Sequence, residues 1–169
     1  MTARLRPVRP TDLARIVDLN NAAYPAVPIG DAAELGRLVD LASLALVAED
    51  GGAVIGFLIA VDPGSEYESE NYRFFSQRHP EFLYIDRIVI DAGARGVGVG
   101  RLLYDAVFAK AASDGRREVT CEVNLQPPNP ESLAFHARLG FERVGEQSTK
   151  GGAFTVALLA APVRAESAA

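Results

Sequence analysis

The chain has 169 residues, 17 Lys+Arg against 22 Asp+Glu and two His, for a formal charge of −5. That length suits one domain with a single core, and apolar and charged fractions of 49% and 23% exclude a disordered or low-complexity polymer. The acidic balance argues against nucleic-acid and anionic-membrane binding, and one Cys excludes a disulfide framework or a Cys-rich zinc site, so no metal is expected.

The first residues, Met-Thr-Ala-Arg-Leu-Arg, carry no apolar core of a secretory signal. No stretch approaches the roughly 20 apolar residues of a bilayer span; Ala153 to Val163 is too short and contains Thr155 and Pro162. A soluble, cytoplasmic chain is expected, without membrane or nucleic-acid partners.

In chain order, Ala3–Val8 alternates as a strand. Pro10-Thr11 opens a helix with Thr11 as its N-cap and Leu13, Ile16, Val17, Asn20 and Tyr24 on one face, broken by Pro25, Pro28 and Gly30. Asp31 caps a second helix to Leu41. Leu44–Ala48 and Ala53–Val61 read as a hairpin around Glu49-Asp50-Gly51-Gly52. Asp62–Glu81 is a long excursion with one short helix, and its aromatics Tyr67, Tyr72, Phe74 and Phe75 lack clear periodicity. Then follow a strand over Phe82–Ile90, a Gly-rich turn, a helix over Val99–Ser113, a strand over Arg117–Asn124, and a helix entered through Pro127-Pro128-Asn129-Pro130 and stopped by Gly140. Strands over Phe141–Gln147 and Ala153–Leu159 complete an α/β (α+β) pattern, a single domain over residues 1–169 with a mixed sheet of about seven strands.

Arg95-Gly96-Val97-Gly98-Val99-Gly100-Arg101 lies between an apolar strand and an amphipathic helix. Small residues let backbone N–H groups face one point, the helix adds its positive end, and the two Arg add charge: the ligand of such a turn is a phosphate or pyrophosphate. The dinucleotide fingerprint fails, since its last Gly offset lands on Arg101 or Leu103, and no GxxxxGK[ST] is present.

What the turn does contain is Arg-x-x-Gly-x-Gly, followed by Asn129-Pro-Glu-Ser132-Leu-Ala-Phe135-His136-Ala-Arg-Leu-Gly140-Phe141. In that order the two segments resemble the signatures of the GNAT superfamily of acyl-CoA N-acyltransferases, and Arg4…Pro10-Thr11-Asp12-Leu13 resembles its opening. Tyr84–Ile90, Glu122-Val-Asn-Leu and Asn129–Ser132 look closest to a bacterial subgroup of predicted acetyltransferases. The resemblance implies a GNAT-like fold with helices on both sheet faces. It also implies direct acetyl transfer from acetyl-CoA to a small-molecule or peptide amine, and it is compatible with a homodimer. It makes Arg95, Gly96, Val97, Gly98, Val99, Gly100 and Arg101 the diphosphate turn, with Ile88, Val89 and Ile90 supplying a backbone N–H to the thioester oxygen, Val89 or Ile90 foremost. Asn129, Ser132 and Phe135 are then further cofactor contacts.

The family's leaving-group acid is a Tyr, and His136 stands at that position here. An imidazole can transfer protons near neutrality. Asp86 and Glu122 lie inside apolar strands and are the candidate bases, with a water chain as the alternative. Adjacent strand residues face opposite sides, so Asp86 and Arg87 are not expected to pair. Tyr67, Tyr72 and Phe74 are expected to wall the acceptor pocket. Cys121, inside a strand, reads as inert, and His79 as exposed. A non-catalytic acyl-CoA sensor and a nucleotide-binding regulatory domain are the competing readings; binding without turnover marks the first, protection by ATP or NAD the second.

Overall fold

A computed structural model describes residues 2–78 and 80–164, so Met1, His79 and the last five residues lie outside the described part. The strands Arg4–Pro7 (β1), Leu44–Asp50 (β2), Ala53–Val61 (β3), Phe82–Ile90 (β4), Glu118–Gln126 (β5), Glu142–Thr149 (β6) and Phe154–Pro162 (β7) form a seven-stranded mixed sheet, ordered β1-β2-β3-β4-β5-β7-β6. The chain divides into two compact units: the residues up to Val61 with Ile85–Ala109, and Asp62–Tyr84 with the chain from Lys110 on. Among the described residues no helix is long and apolar enough to cross a membrane.

In the first unit, β1 (Arg4–Pro7), β2 (Leu44–Asp50) and β3 (Ala53–Val61) run antiparallel. The β2–β3 hairpin closes through Gly51 and Gly52 at φ 57° and 83°, the paired positive angles that a tight hairpin turn demands and glycine supplies freely. Phe57 through Val61 have no exposed surface, so β3 is core on both faces. A single 3-10 turn, Pro10–Asp12, leads into α1 (Leu13–Ala22). The cap differs from expectation: Asp12, not Thr11, accepts the Arg9 N–H at 2.7 Å and also takes the Arg6 guanidinium at 2.8 and 2.9 Å. Arg6 further bonds Glu49 at 2.8 Å, and these hydrogen bonds to arginine hold both carboxyls below their usual range. In α2 (Ala32–Leu41), Asp31 Oδ1 accepts the Glu34 N–H at 2.9 Å, as its sequence position predicts.

β4 (Phe82–Ile90) passes from one unit to the other. In the second unit its first residues, Phe82–Tyr84, pair in parallel with Glu118–Thr120 of β5 (Glu118–Gln126). Antiparallel β7 (Phe154–Pro162) and β6 (Glu142–Thr149) continue from there. The excursion contains α3 (Glu70–Arg78), whose Tyr72 and Phe75 are 2% and 1% exposed. Tyr72 stands 5.7 Å from the Phe82 ring and 5.6 Å from that of Tyr84, and Phe75 lies 5.9 Å from Tyr84. The Tyr72 hydroxyl donates to Asp62 O at 2.5 Å and accepts from Ser65 N at 3.0 Å. Tyr72 is therefore part of the core of the excursion: burying an aromatic ring with its hydroxyl satisfied is how the excursion folds at all.

Candidate functional site

In the first unit β4 ends at Ile90, and Asp91 N–H bonds Ile55 O at 2.8 Å, tying the strand end to β3. Asp91 accepts the Gly93 N–H at 3.0 Å and pairs with Arg15, which lowers its pKa. The chain then makes the turn. Gly96 and Gly98 stand at φ 79° and 93°, and a side chain begun at either would meet nothing within 4 Å. Gly98 O accepts the Leu102 N–H at 3.0 Å, so Gly98 caps α4 (Val99–Ser113). The N–H groups ahead of that bond have no carbonyl one turn back to reach. Val99, Leu103 and Tyr104 are buried and anchor the helix, while Arg95 through Gly98 and Arg101 are exposed. An open cradle at a helix start, with backbone donors and two cationic side chains, fits a diphosphate. Arg101 reaches Asp105 only at 3.9 Å, a surface pair too weak to withhold it from an anion.

Ahead of the turn, Gly56 of β3 approaches β4 so closely that a Cβ there would lie 2.9 Å from Val89 O. Glycine at 56 thus lets β3 lie against Val89 and Ile90, next to half-buried Ile88. One expectation fails on this strand. Asp86 and Arg87 do pair, Nε to Oδ2 at 3.2 Å, with side chains only 6% and 10% exposed. Alternation directs the two Cβ atoms apart, but the long arginine stem folds back to the shorter acid.

In the second unit the Tyr84 hydroxyl donates to Glu122 Oε2 at 2.7 Å, fixing the half-buried carboxylate of β5. Tyr84 is a partner that the sequence alone did not single out. On the same face of β5, Thr120 and Asn124 are buried, a polar row inside a core strand. Cys121 on the other face is buried, as expected of an inert thiol.

In α5 (Pro130–Arg138), Asn129 Oδ1 accepts the Ser132 N–H at 3.3 Å. Gly140 at φ 94° closes the helix, with Gly140 N to Ala137 O at 3.1 Å and Phe141 N to His136 O at 3.1 Å. His136 is 4% exposed. Its Nδ1 lies 2.7 Å from Ser132 O, and its ring sits edge-on to Phe135 and Phe141 at 5.5 and 5.2 Å. A carbonyl can only accept, so Nδ1 carries the proton. Burial pushes the imidazole pKa below 6.5, outweighing the Ser132 carbonyl that raises it. At neutral pH the ring is uncharged, with its Nδ1–H directed at the Ser132 carbonyl.

The remaining expected acceptor residues also lie in the second unit. Tyr67 is half-buried, 5.7 Å from the Tyr72 ring, and Phe74 packs where a Cβ on Gly145 would come within 2.8 Å of its Cζ. A concavity that the sequence did not predict occurs in the first unit: about 400 Å³, lined by Val17, Asn21, Ile29, Gly30, Asp31 and Glu34 among others. The signal available for it was the Asn20-Asn21 pair ahead of a Pro- and Gly-broken turn.

Residues 13–141 match the acetyltransferase (GNAT) family. The chain belongs to that family. This acetyltransferase is 31% identical over 144 residues to glucosamine 6-phosphate N-acetyltransferase 1 of Oryza sativa subsp. japonica, covering 82% of this chain and 80% of the relative. A phosphinothricin acetyltransferase from Sinorhizobium meliloti, solved in complex with acetyl-CoA, superposes with a TM-score of 0.71 at 26% identity, covering 96% of this chain and 89% of that one. Ard1 from Thermoplasma volcanium shares the fold with a TM-score of 0.80 at 17% identity, covering 97% and 99%. The acetyltransferase is thus an enzyme of the N-acetyl-transferring kind, on a seven-stranded mixed sheet with helices.

Proposed function

We propose that this acetyltransferase takes acetyl-CoA at the Arg95–Arg101 turn and moves its acetyl group directly to the nitrogen of a small primary amine in the cytoplasm. The observation that carries the reading is the pair of positive-φ glycines, 96 and 98, facing open space at the start of α4. The backbone donors of that turn bind the diphosphate, Arg95 and Arg101 add charge, and Asn129, Ser132 and Phe135 contribute further contacts. Acetyl-CoA bound there supplies an activated thioester. A backbone N–H of the Ile88–Ile90 segment takes up the charge developing on the carbonyl oxygen.

Glu122, oriented by Tyr84, is the proposed base, and it takes a proton from the incoming ammonium. Asp86 is left out of this role because Arg87 occupies its carboxylate. The N–C bond forms as the C–S bond breaks, the sulfur leaves with the electron pair, and a water carries the second nitrogen proton to it to give the neutral amide and the thiol, since the His136 N–H is engaged by Ser132. The relatives named for glucosamine 6-phosphate and phosphinothricin support a small polar amine. Within the first unit, the concavity at Asn21–Glu34, which carries the Asp31 and Glu34 carboxylates, is the proposed seat for a cationic group. Tyr67 and Phe74 of the second unit are proposed acceptor residues on their own account.

The test is thiol release from acetyl-CoA across a panel of amines that includes glucosamine 6-phosphate, phosphinothricin and short peptides. Turnover is expected, and Glu122→Gln should lower kcat by about 10²–10⁴-fold. Binding of acetyl-CoA with no turnover of any amine would leave a sensor module instead.

A further inference from the structure

The side chain of Arg87 is only 10% exposed, and its guanidinium reaches well beyond its own strand. Besides Asp86, it donates through Nη1 to Asn20 Oδ1 at 2.8 Å and to Pro28 O at 3.0 Å. Asn20, wholly buried, donates to the same Pro28 carbonyl at 2.8 Å and to Asn21 Oδ1 at 3.0 Å. Asn21 in turn grips Gly30 from both sides, accepting its N–H at 3.0 Å and donating to its carbonyl at 3.1 Å. A Cβ added at Gly30 would lie 3.7 Å from Arg87 Nη1 and 3.3 Å from Glu34 Oε2. The turn after α1 is therefore hung from β4 by one arginine and two asparagines, one residue before Ile88.

The segment held this way sends one apolar side chain, Val27, into the core, while Tyr24 and Ile29 are 51% and 60% exposed, and Asn21, Ile29, Gly30, Asp31 and Glu34 line the concavity. We propose that Arg87 is a positioning residue for the amine acceptor, fixing the wall of that concavity against the β4 backbone; the inference rests on the acceptor seat proposed above. Without the tether the turn must be ordered when the amine binds, and that cost falls on the amine alone. A lysine keeps the charge but not the rigid fork of donors that serves separate acceptors at once.

The experiment compares Arg87→Met, Arg87→Lys and Asn21→Ala with the wild type, using the best amine from the panel, with acetyl-CoA affinity measured by calorimetry. Arg87→Met is expected to raise the amine KM at least tenfold while acetyl-CoA affinity stays within twofold, and Arg87→Lys should recover part of the loss. Hydrogen exchange at the Gly30 amide should accelerate in the same order. Should Arg87→Met not fold, Asn21→Ala carries the same expectation, because it cuts the grip on Gly30 and the bond from Asn20 while Arg87 and its own bonds to Asn20 and Pro28 stay in place. A parallel rise in both constants, or none in either, would overturn the positioning role while leaving the activity intact. A wild-type chain that binds acetyl-CoA but acetylates no amine would overturn the activity, and this inference with it.

Discussion

Replacing Gly98 by Asp separates what the turn does for folding from what it does for binding. Gly98 sits at φ 93° and a Cβ there meets no atom within 4 Å, so no steric clash opposes the change. The remaining cost is that of a left-handed L-residue, roughly 1–2 kcal/mol. In a chain of this size each kcal/mol moves Tm by about 2–4 °C, so a loss of roughly 2–8 °C is expected. Because Gly98 is the cap of α4, the new carboxylate also accepts first-turn N–H groups and offsets part of that strain. The same bond removes the donors that a diphosphate would use and sets a negative charge among them. Hydrogen bonds to a charged partner contribute about 1.5–3 kcal/mol each, so losing two amounts to roughly 3–6 kcal/mol. At about 1.4 kcal/mol per decade, that is a loss of roughly 10²–10⁴ in acetyl-CoA affinity. Calorimetry with acetyl-CoA beside thermal unfolding reads both quantities, and Gly98→Ala, with strain but no charge, should lose far less affinity. A folded Gly98→Asp protein binding acetyl-CoA within about threefold of wild type would refute the assignment.

Tyr72→Ala should cost about 3–5 kcal/mol of stability, as removal of a buried aromatic does, whereas Tyr72→Phe should fold and leave the amine KM unchanged; a raised KM in the Phe variant would return Tyr72 to the acceptor site. His136 binds its proton less tightly folded than unfolded, so the unfolded chain takes up more protons as pH falls through 6.5, and stability should decline there. His136→Phe should remove that part of the slope and keep kcat. The decline at lower pH should persist in both proteins, because Asp12, Glu49 and Asp91, lowered from 3.8, 4.5 and 3.8, lose their stabilising ionised forms only there. A kcat that collapses with His136→Phe would restore the imidazole as a catalyst.

Punctuated elements could be read directly from residues. β4 and α4 have their expected bounds because apolar β-branched residues run up to a glycine turn and a 3.6-residue pattern begins after it. Asp31 and Asn129 cap as their positions predict, for capping needs only a short polar side chain at one site. Side-chain reach was the obscure part. Alternation separates Asp86 from Arg87, yet flexible methylenes reconnect them, and nothing in the local pattern indicates that Arg87 also holds Asn20 and Pro28, far away in the chain. The fate of the aromatics between 62 and 81 was half visible: Tyr72 and Phe75 lie three residues apart, which is a helix face seeking a core, while Tyr67 and Phe74 fall outside that stripe. For His136, sequence supplies the position but not the carbonyl that claims its proton.

The excursion that contains α3 brings its own apolar contents with it. Tyr72 and Phe75 cover Phe82 and Tyr84, which belong to the strand next to it in the sequence. Cutting 62–81 back to a short connection would uncover two aromatic rings, each of which buries some 150–250 Å² in a packed core. Evolution or engineering therefore cannot exchange this segment as freely as an ordinary surface loop. A graft from a relative would need matching changes at positions 82 and 84, and loss of Tyr84 would remove the phenol that donates to Glu122. Diversification of this insertion is thus linked, through one phenol, to the acid on β5.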